Sequence, residues 1–245
     1  MSQVVVVSSG KGGTGKSTIS VSLGNAYAKM GKKVLLIDCD SGMRGLDIML
    51  GVSKNLVFDI ADVVSGNCKT EHIIYPCPYI DGLFLIPAPQ NVEDEISSGI
   101  LKQFVKNIKD DYDIVIIDCP AGVGKSFEIA VAPASLCLVV ANAEPTSVRG
   151  CEKVKKRLLE LGKTDIRLVI NKFSRQSFKQ LNAYYDLDEV IDKTGIQLIG
   201  IITENKPVVS AIQKGLAYDG KCLAIKAINN IARRIDGENV PLAIS

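Results

Sequence analysis

The stretch VVVVSSGKGGTGKST, residues 4–18, decides the fold. Val4–Val7 is a short β-branched run, apolar at every position, as a parallel strand covered on both faces must be. The spacing Gly10-x4-Gly15-Lys16-Ser17 follows it directly. Beyond the loop, Ile19, Leu23, Ala26 and Met30 recur on one face of a helix, and Gly31 supplies its stop. Strand, glycine loop and helix in this order form the context in which the spacing reads as a phosphate-binding loop. Its glycines let backbone N–H groups approach phosphate oxygens, and the helix N-terminus turns a positive end toward them. Gly10, Gly12, Gly13, Thr14, Gly15, Lys16, Ser17 and Thr18 are therefore the candidate nucleotide contacts. Lys16 should bridge the β- and γ-phosphates of ATP, and the Ser17 hydroxyl should ligate Mg²⁺. Such a loop needs one lysine, yet this one carries a second, Lys11.

The same alternation continues along the chain. Val4–Ser8, Lys33–Ile37, Leu83–Ile86, Ile114–Ile117, Leu136–Ala141, Arg167–Ile170 and Gln197–Ile201 read as strands, with amphipathic segments between them. The pattern predicts an α/β fold, a mainly parallel twisted sheet of about seven or eight strands with helices on both faces. No Pro/Gly/Ser-rich linker, repeat or low-complexity segment divides it, so residues 1–245 are expected to form a single P-loop domain. Ligands of such sheets bind beyond the carboxyl ends of the strands, which points to the loops after Val7, Ile37, Ile117 and Ile170.

Three of those loops carry fitting chemistry. IVIIDCPAG ends its strand in Asp118, a carboxylate able to hold the Mg²⁺ shell directly or through water, or to cap the next helix. VLLIDCDSG sets Asp38 and Asp40 two residues apart at the same sheet end. Both can reach the metal and the attacking water, or one can be structural. VINKF puts Asn171 just past a strand, where its amide can read an adenine edge or simply make a turn. A second lysine-serine pair, Lys125-Ser126, misses the loop spacing because Cys119 stands where the first glycine is required, so Lys125 reads as a solvated or partner-facing lysine.

Composition narrows the class. Twenty-nine basic against 27 acidic side chains give +2, which argues against a polybasic nucleic-acid surface. The seven cysteines include no Cys-x-x-Cys pair and read as reduced thiols of a cytoplasmic protein. One histidine leaves no imidazole cluster or histidine-based triad. No apolar run approaches a membrane span, and nothing at the N-terminus reads as a signal segment.

Together KGGTGKST, GKKVLLIDCD, YDIVIIDCPAG and LVINKF resemble the MinD/ParA deviant Walker A ATPases, a SIMIBI branch of the P-loop proteins. RGLDIMLG, the PAG of Pro120–Gly122 and the ending GENVPL are similar to the MinD side of that family. The resemblance implies an ATPase cycle in which ATP drives two subunits into a face-to-face homodimer and hydrolysis to ADP releases it, acting in placement of the bacterial division site. Lys11 would cross the interface to the partner's phosphates, joining Lys16, Asp38 and Asp40 as catalytic residues. Asp40 would position water, and Asp118 would serve as the switch carboxylate beside the metal. MinC-like and MinE-like regulators would be partners. Membrane, at the inner face of the cell, would be a partner only if an amphipathic tail extends beyond Ser245, since none follows GENVPL. Gly150 stands where the MinD side usually has an acidic residue, on a surface its regulators use, and Lys125 where an acid or neutral polar residue is usual. The alternatives are a ParA-like partitioning ATPase on non-specific DNA, using Lys153, Lys155, Lys156 and Arg157 or Lys226, Arg233 and Arg234, and a tailless regulator of another positioning process.

Overall fold

Runs buried at every position leave only one arrangement, a sheet with both faces covered. In the computed structural model, which describes residues 2–90, 96–215 and 222–242, the strands are β1 (Gln3–Ser8), β2 (Val34–Asp38), β3 (Tyr75–Pro76), β4 (Leu83–Ile86), β5 (Ile114–Asp118), β6 (Leu136–Ala141), β7 (Ile166–Phe173) and β8 (Gln197–Thr203). They form one eight-stranded sheet in the order β3-β4-β2-β5-β1-β6-β7-β8. Every pairing is parallel except β3 with β4. β3 is the strand the sequence did not announce. It is two residues long and half proline, which suits an edge. Residues 243–245, the last in the sequence, lie outside the described residues.

Alternation along each strand sends side chains to two separate cores. Val4, Val6, Leu35, Ile37, Val115 and Ile117 face one. Val5, Val7, Val34, Leu36, Ile114 and Ile116 face the other. Helices α1 (Lys16–Lys29), α2 (Leu46–Met49), α9 (Lys206–Gln213) and α10 (Leu223–Ile235) cover the second face. Helices α3 (Ile60–Val64), α4 (Ser98–Ile108), α5 (Lys125–Val131), α6 (Pro145–Glu160) and α8 (Leu187–Thr194) cover the first, and the short α7 (Arg175–Leu181) follows β7. β1 lies between β5 and β6, so the loop after it opens where the chain changes sides of the sheet, the usual ligand crevice of an open α/β sheet.

The first helix corrects one detail of the periodic pattern. Ile19, Leu23 and Ala26 are buried, but Met30 is 41% exposed because it caps the helix while Gly31 turns the chain at φ 80°. Leu36 is fully buried in β2, so Leu36→Ala should lower the free energy of unfolding by roughly 2–5 kcal/mol in urea titration. Met30→Ala should change it by less than about 0.5 kcal/mol. Equal costs would mean that α1 packs in another register.

Candidate functional site

The phosphate loop is built by what it lacks. Gly13 (φ 78°) and Gly15 (φ 95°) adopt left-handed backbone that side chains disfavour, and a Cβ on Gly12 or Gly13 would meet only open space. At Gly10 the reason differs, since a Cβ there would overlap the carbonyl of Gly150 in α6. Two glycines thus let α6 lie against the loop. This corrects the reading of Gly150 as a regulator-facing surface position: it is buried against the loop, while its neighbours Arg149, Glu152 and Lys153 are exposed.

Other strands fasten the same loop from the far side. Asn171 Nδ2 donates to the Thr14 carbonyl at 2.8 Å, and Lys172 Nζ donates to the Gly13 carbonyl at 2.7 Å. Ser17 Oγ donates to Asp118 Oδ2 at 2.6 Å, and Ser20 Oγ to its other oxygen at 2.8 Å. Thr14 and Lys16 are buried, and the Thr14 hydroxyl has no hydrogen-bond partner among the described residues. Gly12, Gly13, Gly15, Lys16, Ser17 and Thr18 line one end of a cavity of about 780 Å³, a volume suited to a nucleotide-sized ligand. Asp40, Asn171 and Lys172 line it too, and Val208, Val209 and Ile228 give its other end apolar walls. Lys172 and Ser20 are site residues the sequence reading missed. Ser20 falls one helical turn after Lys16, and that spacing could have flagged it.

The three carboxylates separate into two kinds. Asp38 and Asp118 end adjacent strands in register and are each 2% exposed. Asp38 turns its oxygens to its own loop, accepting from the Asp40 N–H at 2.9 Å and the Leu46 N–H at 3.3 Å. Its carboxylate is therefore spent on holding the loop that carries Asp40, and only Asp40 lines the cavity. Burial pushes the Asp38 carboxyl up to about 7, and the charge of Asp118 adds to the rise. Burial also raises Asp118, to about 6, against the pull of the Ser17 and Ser20 hydroxyls and the Lys16 charge.

Lys11 stands apart from the cavity. Its Nζ lies 3.4 Å from Glu144 Oε2 and 3.1 Å from Thr146 Oγ1, at the start of α6. Both partners of the ion pair are about half exposed (46% and 48%), so it contributes only about 0–1 kcal/mol and is easily exchanged. Much of the basic surface is already engaged. Arg157 pairs with Glu128 and Glu160, Lys155 donates to the Gly195 carbonyl, Arg233 pairs with Glu238, and Arg234 donates to the carbonyls of Ile199, Val240 and Pro241. Lys125 begins α5 after Gly124 rather than a second phosphate loop. No helix among the described residues is long and apolar enough to cross a membrane.

The family described as AAA domain matches residues 2–172. A septum site-determining protein MinD from Synechocystis is 37% identical over 98% of this chain and 92% of its own. The solved MinC:MinD cell division protein complex of Aquifex aeolicus superposes with a TM-score of 0.88 at 36% identity, covering 99% of both chains. A MinD complexed with Mg-ADP from Pyrococcus horikoshii gives 0.85 at 26% identity over 96% of each.

The raised carboxyls make the nucleotide-free protein sensitive to pH. From the ordinary value of 3.8 up to the folded values of about 6 and 7, the folded state holds protons that the unfolded chain has released. Stability from these groups is thus greatest at low pH and is lost as pH rises through 6–7. Asp38→Asn removes one such group. Its unfolding free energy, relative to wild type, should gain up to about 1.4 kcal/mol per pH unit over that window in urea titrations without nucleotide or Mg²⁺. Parallel curves for the two proteins would contradict the assignment.

Proposed function

The chain belongs to the MinD family of septum site-determining proteins, and on that premise we propose that it is a Mg²⁺-dependent, ATP-driven dimerising switch that hydrolyses ATP to ADP and phosphate in placing the division site. The observation that carries the dimer is the position of Lys11. It is a cation in the phosphate loop that does not line the loop's own cavity and is held by an exposed ion pair with Glu144 and an exposed hydrogen bond to Thr146. A second subunit facing this surface would give Lys11 a γ-phosphate in exchange for Glu144.

In this reading the backbone N–H groups of Gly12–Lys16 and the first turn of α1 bind the β- and γ-phosphates, and Lys16 neutralises them. Ser17, which lines the cavity, would hold Mg²⁺, and Asp118 behind it would hold the ion's shell directly or through water, hydroxyl and carboxylate being the oxygen donors that ion prefers. Their 2.6 Å contact supports this fit. The ion, when bound, supplies charge neutralisation at the β- and γ-oxygens. Asp40 orients water toward the γ-phosphorus. The P–O bond to ADP breaks as the bond to water forms, and both protons of the water end on the phosphate product, which gives one up to solvent near neutral pH. Asp38 acts by positioning Asp40. Asn171 braces the loop through one N–H and keeps its carbonyl oxygen and second N–H for the adenine edge. Hydrolysis removes the phosphate that Lys11 contacts in trans, so the dimer falls apart after chemistry.

The partner expected from the Aquifex complex is a MinC-like regulator; a MinE-like protein is the second that the family resemblance implies. We take the exposed residues of α6 as the surface available to them, and residues 1–245 as one functional domain that works in the cytoplasm.

Two lysine variants test the reading. Lys11→Ala should leave the ATP Kd within about threefold of wild type while lowering kcat at least about 10²-fold, the loss typical of one transition-state charge contact. Lys16→Ala should weaken ATP binding itself by more than about tenfold. Calorimetry and phosphate release measure the two quantities, and equal loss of affinity in both variants would place Lys11 in its own subunit's site.

A further inference from the structure

Successive side chains of a strand point to opposite faces of the sheet. Asn171 and Lys172 are consecutive in β7, yet both reach the phosphate loop, one to the carbonyl of Thr14 and the other to that of Gly13. The backbone is bent to allow it. Lys172 sits at φ 53°, left-handed backbone that a lysine adopts only when its surroundings hold it there. From Ile170↔Ile201 to Phe173↔Thr203 β7 advances three residues while β8 advances two, so one extra residue is inserted at this point. Bulges of this kind re-aim a side chain next to a functional site.

Core packing explains part of the distortion, since the extra residue returns Phe173 to the same core as Ile170, but it does not explain why the lysine between them reaches the loop. Lys172 is exposed, whereas both neighbours, Asn171 and Phe173, are buried. Its stem runs over the loop, with Cε 3.8 Å from where a Cβ on Gly15 would be, and it lines the nucleotide cavity beside Asn171. The loop must offer its N–H groups to phosphate while its carbonyls, which would repel phosphate, are occupied elsewhere. Asn171 occupies one of them and Lys172 the next.

We propose that Lys172 is a nucleotide-positioning residue: its ammonium fixes the Gly13 carbonyl so that the loop is preset to receive phosphate, and its stem forms one wall of the cavity. This rests on the nucleotide reading of the site. Because the loop is preset for ATP and ADP alike, Lys172 sets affinity rather than the chemical step. That separates it from Lys11, whose effect falls on hydrolysis.

The full chain with Mg²⁺ is compared with Lys172→Met, which keeps the stem and loses the ammonium, and with Lys172→Arg, which keeps a donor. In calorimetry Lys172→Met should raise the Kd of ATP and of ADP by a similar factor, about tenfold. The loss should fall on KM more than on kcat, the melting temperature of the nucleotide-free protein should be unchanged, and Lys172→Arg should recover most of the affinity. The proposal is overturned if Lys172→Met binds ATP like wild type, if Arg fails to rescue, or if affinity falls only together with the melting temperature. Wild-type protein that binds no ATP would instead remove the nucleotide reading of the whole site, and this inference with it.

Discussion

A backbone anion site works only if its donors are free and its acceptors are not. In this protein the carbonyls of Gly13 and Thr14 are occupied by Lys172 and Asn171, and Gly10 is pressed against Gly150. The loop between β1 and α1 is thereby held by β7 on one side and α6 on the other. Ser17 and Ser20 tie the start of α1 to Asp118 at the end of β5. The rest of the sheet can be seen as the frame that brings these strand ends to one edge. Parallel pairing with every strand face covered fixes the register in which Val7 and Asp118, and Asp38 and Asp118, lie side by side.

The cost of that edge is concentrated in two buried carboxyls. Asp38 and Asp118 are kept where burial raises both, with hydroxyls and backbone N–H groups as partial compensation. A divalent cation beside Asp118 and phosphates beside Lys16 would offset the burial of these groups. Lys11 differs in kind. It sits at the surface, and the α6 residues that hold it, Glu144 and Thr146, belong to the helix that also backs the loop through Gly150. Movement of Lys11 to another subunit would therefore be felt along α6, whose exposed face is open to partners.

Much of this was legible in the sequence, for identifiable reasons. Fully apolar strands declare themselves, and seven were visible from their β-branched runs; β3 was not, because two residues carry no period. The loop spacing named Lys16 and Ser17, and strand-end position named Asp118 and Asp40. Asp38 was visible as a carboxylate, but the direction of its side chain depends on how the chain turns from Asp40 to Leu46. Lys172 and Gly150 were beyond reach. One needs a left-handed residue and a bulge to bring two consecutive side chains to the same place, and the other matters only because a helix from 140 residues later meets Gly10.

The central claim is that the second lysine belongs to a partner. Sedimentation velocity of Asp40→Ala, alone and combined with Lys11→Ala, tests it most directly. The account predicts that the Asp40→Ala chain is a dimer in saturating Mg-ATP and a monomer in Mg-ADP, and that adding Lys11→Ala leaves it monomeric in both. A chain that stays monomeric in ATP at high concentration, or forms the same dimer in ADP, would contradict it.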